Sequence, residues 1–371
     1  MRVVHLSDTH LGFSAYSRLN QDEGVNQREI DFYKAFKQAV DIAIRLKPDL
    51  VVHAGDLFDT VRPQNRAIDF ALRQLIRLSE EGIETVLISG NHSTPRLKET
   101  GNIFRIFEHL EHVHSIHEPA IKQVVSGDVT VTAIPHSSTP PLTQLVQESK
   151  PSKDTRFNLL LLHAGIMGPN TYKMDEFNEQ SVPASSLPEG FDYIALGHFH
   201  RFTEVSKGTC YSGSTERLSF GEAGQEKGIV EVDLSKGSAK FHELQIRDMV
   251  DLEPIDASKL ASSEILREAK ERLSSAKVDD RIARMSVSNV GGEAYRSLDV
   301  QAIRRLANSA MHFELKIERA EEAARKESQE AQFGSLAYEF QKYVAALDRG
   351  EEKKKMLLDV GTPYFVKEEE E

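Results

Sequence analysis

One short stretch, LVVHAGDLFD at residues 50–59, most constrains what this chain can fold into. Its apolar start predicts a buried β-strand, which runs out through small residues and then presents the carboxylate of Asp56. Open α/β sheets place ligand-binding groups in this way, at the carboxyl ends of their strands. A Gly-Asp pair after an apolar run is also typical of an ordinary turn, so this stretch alone does not define a site.

Four further stretches end in the same way, and they favour a site over a turn. They are HLSDTH with Asp8 and His10, LISGNH with Asn91 and His92, LLLLHAG with His163, and IALGHFH with His198 and His200. Each of these side chains, taken alone, is typical of a satisfied core residue or a turn. Gathered at five strand ends, they predict one polynuclear metal site in which Asp56 lies between two ions.

The donor set divides between two ions, which need a shared carboxylate and further ligands on each side. The first would take Asp8, His10, Asp56 and one of His198 and His200, and the second Asp56, Asn91, His163 and the other histidine. Oxygen and imidazole donors without thiolate favour two Mn²⁺ or Fe²⁺ ions over structural zinc, with Mg²⁺ and catalytic Zn²⁺ as alternatives. Such a centre activates a bridging water for in-line attack on phosphorus. His92, which is not needed as a ligand, is predicted to stabilise the transition state or to protonate the leaving oxygen.

The remaining pattern predicts an α/β fold. Apolar residues at helical spacing follow the first two strands, and strands alternate with helices as far as about residue 110. From Pro119 onward the pattern changes to hairpins and buried strands with few helices, which predicts mostly antiparallel pairing. We therefore expect two sheets with helices outside them.

Three segments are predicted along the chain. Residues 1–250 carry every candidate metal ligand, and residues 251–319 read as a compact βαβ-like unit. Residues 320–371 begin with a polar linker and end in an apolar helix face with nothing after it to pack on. This face consists of Leu336, Phe340, Val344 and Leu347.

Composition narrows the class of protein. The chain has 46 Lys and Arg residues against 58 Asp and Glu residues, and its net charge of −12 argues against a generally basic nucleic-acid binder. The single Cys210 excludes a disulfide framework and fits a reducing cytosol. We expect a cytoplasmic protein without membrane contact, because no leader and no sufficiently long apolar run is seen.

The order of the motifs D-x-H, GD-x-x-D, GNH, a strand-ending His and GH-x-H resembles the calcineurin-like metallophosphoesterase superfamily. This resemblance implies a two-sheet sandwich flanked by helices, with His200 on the first ion and His198 on the second. More narrowly, DTHLGF, GDLFD, LPEGFDYIALGHFHR and SGSTERLSFGE resemble the DNA double-strand-break repair nuclease of the meiotic-recombination-eleven / SbcD type. One departure is Ser93, since this family usually carries Asp after Gly-Asn-His.

The narrower resemblance implies an activity and partners. It implies a Mn²⁺-dependent DNA exonuclease and endonuclease, a capping, DNA-binding role for residues 251–319, and docking of the terminal helix on an SMC-like ABC-type ATPase of the SbcC type. A homodimer associated with the nucleoid is also expected. Four basic residues that follow the metal motifs could track a DNA backbone or could be ordinary surface residues, namely Arg62, Arg66, Arg96 and Lys98.

Two other readings compete with a DNA nuclease. A phosphoesterase of small substrates or phosphoproteins would share the centre, but GDLFDTVRP lacks the Asp-Arg-Gly of the phosphoprotein phosphatases. A non-catalytic, metal-bound scaffold for the ATPase would also fit the tail. The intact ligand set argues against a scaffold, and Ser93 is its only support.

Overall fold

The computed structural model describes residues 1–95, 101–168, 180–320, 340, 342–345, 347 and 349–366. The helices are α1 Gln27–Leu46, α2 Asn65–Glu80, α3 Leu142–Glu148, α4 Ser262–Ala276, α5 Gly292–Ser297, α6 Val300–Leu306 and α7 Glu351–Val366. The strands are β1 Arg2–Leu6, β2 Leu50–His53, β3 Glu84–Ile88, β4 Val113–Ile116, β5 Lys122–Ser126, β6 Val129–Ile134, β7 Phe157–His163, β8 Gly165–Met167, β9 Ser181–Pro183, β10 Tyr193–Gly197, β11 Thr203–Ser206, β12 Thr209–Tyr211, β13 Gly228–Asp233, β14 Ser238–Glu243, β15 Met249–Asp251, β16 Ile255–Asp256, β17 Ile282–Val290 and β18 His312–Arg319. Within these stretches no helix combines the length and the apolarity needed to cross a membrane.

Two six-stranded sheets form the larger part of the fold, which confirms the predicted two-sheet α/β architecture. Their strand orders are β14-β13-β1-β2-β3-β4 and β11-β12-β10-β7-β6-β5. Alternate residues of a strand point to opposite faces, so Val52 joins Leu159 and Leu161 in the core between the sheets, whereas Val51 faces outward. Burial on both faces explains why these strands are continuous apolar runs.

Helices cover the outer faces of both sheets. Phe36 and Ala39 of α1 pack with Val51 on the first sheet. Leu142 and Val146 of α3 pack on the outer face of the second sheet. The last helix of the predicted alternation, which ends near residue 110, is present as a 3₁₀ helix, Ile103–His109.

The mostly antiparallel pairing predicted for the second sheet is wrong. The interior pairs β6–β7, β7–β10 and β10–β12 run parallel, and only the edge pairs β5–β6 and β11–β12 are antiparallel. Local sequence patterns reveal hairpins, which pair antiparallel. The order of the interior strands depends instead on crossover connections, such as the one through α3 between β6 and β7, which make neighbouring strands parallel. Parallel pairing matters for the site, because it sets His163 beside Gly197 at the carboxyl ends of β7 and β10.

The chain forms two compact units. The first contains Met1–Asp251, Asp279–Ala283 and Ala310–His312, and the second contains Leu252–Val278, Arg284–Ser309 and Phe313–Glu371. In the second unit β16 pairs in parallel with β17 after the intervening α4, which gives a βαβ arrangement. Ile265 and Leu273 of α4 and Ile303 of α6 supply buried apolar side chains of this unit.

The tail differs from its prediction, because a further helix, α7, follows the predicted apolar face. A side chain at Gly361 of α7 would collide with the ring of Phe340, so these two residues are packed together. Val344 is buried, and Leu336 lies outside the described residues. Gly361 and Pro363 are poor helix formers, which explains why the sequence did not indicate α7.

Candidate metal centre

The segments that follow β1 and β2 are fixed against each other by their backbones. The amides of Asp8 and His10 donate hydrogen bonds to the carbonyl oxygens of Gly55 and Asp56, both at 3.0 Å. Because β1, β2 and β3 are parallel, their carboxyl ends lie at one edge of the first sheet. The predicted strand-end residues are therefore brought together by sheet topology.

Asp8 and His10 reach the site from irregular backbone that follows β1. The strand β1 ends at Leu6, and Asp8 and His10 have φ values of 50° and 41°. Asp56 and His198 also have positive φ, at 51° and 108°. Left-handed backbone is costly for residues other than glycine and is concentrated at functional sites, where the surrounding fold enforces it.

A first cluster contains Asp8, His10 and His200, whose ligand atoms lie within 4.8 Å of one another. The Nε2 atoms of His10 and His200 are 3.2 Å apart. Each ring turns its Nδ1 toward a carboxylate, Asp59 at 3.3 Å for His10 and Glu222 at 2.9 Å for His200. With both Nδ1 atoms donating, the two Nε2 lone pairs face each other, and this arrangement needs a cation or a proton between them.

A second cluster contains Asp8, Asp56 and His163. The Nε2 atom of His163 lies 2.8 Å from Asn91 Oδ1 and 3.1 Å from Asp56 Oδ2. The Nδ1 atom of His163 donates to the Ala54 carbonyl oxygen at 2.8 Å, which again directs Nε2 into the site. Asp8 is the carboxylate common to both clusters, so the bridging role of Asp56 stays a prediction.

Burial and charge act in opposite directions on this second cluster. Burial alone would raise the pKa of Asp56 and lower that of His163. The attraction between them prevails: it holds the pKa of Asp56 well below its usual range and, with help from Asp8, raises the pKa of His163 to about 9. Because an imidazolium cannot coordinate a metal, cation binding at this histidine near neutral pH releases a proton.

His92 belongs to a third group, with His10 and Asp59, whose ligand atoms also lie within 4.8 Å of one another. Its ring stands edge-on to that of His10 at a centroid distance of 4.8 Å. Its backbone N–H donates to Asp56 Oδ1 at 3.0 Å, and its Nδ1 lies 2.8 Å from the main-chain carbonyl oxygen of Asp59. Asp59 thus supports both His10 and His92. The sequence did not indicate this role, although Asp59 is the last residue of the GD-x-x-D motif.

Ser93 is fully buried, and its hydroxyl makes no hydrogen bond to any described residue. The residue at position 93 therefore does not orient His92 in this chain.

His198 is placed differently from the other predicted ligands. Its backbone N–H donates to Asp8 Oδ1 at 3.0 Å, and its ring stands edge-on to His163 at 5.4 Å. It lies outside the clusters formed by the described residues. Its assignment to the second ion stays a prediction.

Two of the four basic candidates, Arg62 and Arg66, are among the described residues. Arg62 is exposed, and Arg66 pairs with the buried Glu29 at 3.2 Å while half of its side chain remains exposed. Arg96 and Lys98 lie outside the described residues.

Glycines allow the strand ends to approach closely. A Cβ atom at Gly90 would collide with Asp56, and one at Gly197 would collide with the Ala54 carbonyl.

We expect Gly90→Ala to push the Asp56 carboxylate out of place and to lower phosphodiester hydrolysis by about 10²-fold, the effect that a displacement of about 1 Å can have at a reacting centre. The matched control is Gly291→Ala, where an added Cβ would have no neighbour within 4 Å. Wild-type activity of Gly90→Ala would show that the close approach is not required.

The donors at this edge fit divalent cations. Carboxylate oxygens, an amide oxygen and imidazole nitrogens converge, and the described side chains here include no thiolate. This donor set suits Mn²⁺ or Fe²⁺ and is not that of a structural zinc site. The facing Nε2 atoms of His10 and His200 support the same conclusion.

Comparison with known proteins places the chain in a family. A profile described as Calcineurin-like phosphoesterase matches residues 1–202. The DNA double-strand break repair protein Mre11 of Thermoplasma acidophilum is 32% identical over 294 residues, which cover 75% of this chain and 73% of that protein. The Mre11 proteins of Sulfolobus acidocaldarius and Methanococcus maripaludis are 35% and 29% identical over 54% and 60% of this chain. The matched regions cover 50% and 59% of those two proteins, so the chain spans about half the length of the Sulfolobus relative.

Fold, donor set and profile together define a metal-dependent phosphodiesterase. The chain belongs to the calcineurin-like phosphoesterase family and, within it, to the family of Mre11 DNA double-strand break repair proteins.

Proposed function

We propose that the protein is a Mn²⁺-dependent DNA nuclease, with exonuclease and endonuclease activity, that acts in double-strand-break repair. The observation that carries this proposal is the convergence of Asp8, His10 and His200 with Asp56 and His163 at one sheet edge. Its substrate class is proposed from the relatives, which are described as DNA double-strand break repair proteins.

The chain's own residues have distinct tasks in this reaction. The proposed ligands are Asp8, His10, Asp56, Asn91, His163, His198 and His200. When bound, two ions supply an activated water and neutralise the charge that develops at phosphorus. His92 acts from Nε2: its Nδ1–H is held by the Asp59 carbonyl, so the ring donates from Nε2 only as an imidazolium, which gives its second proton to the leaving oxygen and stays as the neutral Nδ1–H tautomer.

Cleavage assays test this proposal against a phosphoesterase of small substrates. Plasmid, single-stranded and blunt linear duplex DNA are incubated with the protein and Mn²⁺ or Mg²⁺, in parallel with bis-p-nitrophenyl phosphate and a phosphopeptide. We expect DNA cleavage that depends on Mn²⁺ and stops with EDTA. Hydrolysis of the small substrates with no cleavage of any DNA would contradict the nuclease assignment.

We further propose a division of labour along the chain. Residues 1–250 carry the nuclease centre, residues 251–319 cap it on DNA, and residues 320–371 dock on an SMC-like ATPase of the SbcC type. Exposed Arg62 and half-exposed Arg66 are the described candidates for backbone contact. A homodimer in the cytoplasm, associated with the nucleoid, fits this role.

The packing of the tail supports one proposal for the surface that faces the ATPase. Val344 is buried, and Phe340 is packed against Gly361 of α7, so neither side chain is well placed to meet a partner. Met356 and Val360, one turn apart on α7, are 65% and 60% exposed. We therefore place the contact with the partner on Met356 and Val360 of α7, in preference to the apolar face predicted around Phe340.

We expect Met356→Glu to abolish capture of the ATPase without changing the circular dichroism of the isolated protein, because the charge would lie at the partner surface. Val344→Glu is expected to lower tail helicity, since it buries a charge. Lys355→Glu, at an exposed neighbouring position, is the matched control. Normal capture of the ATPase by Met356→Glu would exclude this face as the docking site.

A further inference from the structure

The stretch SGSTERLSFGE contains an acidic residue, Glu222, to which the proposed chemistry assigns no task. Glu222 ends a short 3₁₀ helix, Phe220–Glu222, and its side chain is 10% exposed. Its Oε1 accepts a hydrogen bond from His200 Nδ1 at 2.9 Å. Its Oε2 lies 2.6 Å from Nζ of Lys227, a fully buried lysine.

Lys227 also contacts the main chain of His200. Its Nζ donates to the main-chain carbonyl oxygen of His200 at 2.7 Å, so the backbone and the ring of His200 are fixed by one ion pair. A buried carboxylate is unfavourable without a cation, and Lys227 supplies that cation without competing for the ring. Acceptance from Nδ1–H fixes the tautomer in which Nε2 keeps its lone pair toward the metal cluster.

The ligand histidines are not supported alike. His163 is held by the uncharged carbonyl of Ala54, and His10 by Asp59, whose side chain is 24% exposed. Of these three histidines, His200 is the one whose Nδ1 faces a buried carboxylate with its own buried counter-charge. Carboxylate support of a histidine raises its basicity and fixes its orientation.

We infer that Glu222 and Lys227 form a positioning pair for His200 and thereby set the affinity of one ion site, the site shared by Asp8, His10 and His200. The second ion site depends on His163 and is not controlled by this pair. The inference rests on the metal centre of the proposed function, so a wild-type protein that failed to bind two Mn²⁺ ions would refute that centre rather than this pair alone.

The test is Mn²⁺ binding to the full chain, which is measured by isothermal titration calorimetry and by electron paramagnetic resonance of the free Mn²⁺. Removal of a residue that orients a metal ligand costs about 10–100-fold in affinity, so Glu222→Leu is expected to weaken one of two sites by that factor and to leave the other unchanged. Glu222→Gln should lose less, because its amide oxygen still accepts from Nδ1–H. The matched control, Glu226→Gln, removes an exposed charge four residues away and should bind as wild type does.

A double variant separates positioning from stability. Glu222→Leu leaves Lys227 as an uncompensated buried charge and should lower the melting temperature of the metal-free protein. Adding Lys227→Met removes that charge, so the double variant should recover melting temperature but not Mn²⁺ affinity. The inference is overturned if the double variant recovers both melting temperature and Mn²⁺ affinity, or if Glu222→Leu keeps wild-type affinity. It is also overturned if Glu222→Leu weakens the two ion sites equally, or if neither Glu222→Gln nor the double variant folds.

Discussion

Replacement of Asp56 by asparagine is expected to abolish DNA hydrolysis and to weaken the binding of both Mn²⁺ ions. The Asp56 carboxylate is fully buried, lies 3.1 Å from His163 Nε2 and accepts the His92 amide at 3.0 Å. Asparagine retains the shape and one acceptor oxygen but removes the charge that a bridging position requires. Loss of a single electrostatic donor already costs about 10²–10³-fold in rate, and loss of a shared ligand should cost at least as much.

Metal analysis and cleavage assays on the same preparation check this expectation. The matched control is Asp128→Asn, which makes the same change at an exposed position in the turn between β5 and β6. Asp8 is common to both clusters in the structure, so Asp8→Asn is the informative comparison. Two ions bound at wild-type affinity in Asp56→Asn, with both lost in Asp8→Asn, would assign the bridge to Asp8 instead.

Replacement of His92 by alanine is expected to leave both ions bound and to lower the rate of hydrolysis by about 10²–10⁴-fold, the usual contribution of a general acid. The reason is geometric: His92 stands edge-on to His10, and its Nδ1 is tied to the backbone of Asp59. This geometry leaves Nε2 able either to carry the imidazolium proton or to coordinate a metal, and we propose the first role.

Single-turnover cleavage at saturating Mn²⁺, together with Mn²⁺ titration, separates the two roles. His109→Ala removes an exposed histidine and serves as the control. Loss of one ion from His92→Ala at concentrations that saturate the wild type would make His92 a ligand. A wild-type rate with a substrate whose leaving group needs no proton would support the acid role.

Much of the fold, and the meeting of several candidate ligands at one sheet edge, could be predicted because both depend on local patterns. The run LVVHAGD shows a strand buried on both faces that ends at small residues, and the structure places β2 at Leu50–His53. Parallel strands bring their carboxyl ends to one edge, so residues far apart in sequence could be assigned to one site before any contact was known. The same pattern of buried strands predicted the two-sheet fold, which the two six-stranded sheets confirm.

Other features depend on tertiary contacts that local patterns do not report. The parallel interior of the second sheet follows from the order of β6, β7, β10 and β12 in space. The left-handed backbone at Asp8 and His10 is enforced by hydrogen bonds to the segment after β2. Glu222 reaches His200 across 22 residues of chain, and no periodicity marks such a contact.

The central claim is that a two-ion centre at this edge hydrolyses DNA, and joint titration of Mn²⁺ occupancy and cleavage tests it most directly. Metal-free protein is titrated with Mn²⁺ while bound ions and the initial rate of cleavage of blunt linear duplex DNA are measured on the same samples. We expect no cleavage without metal and a rate that rises in proportion to the population carrying two ions. Cleavage in the presence of EDTA, or two bound ions without cleavage of DNA, would contradict the account.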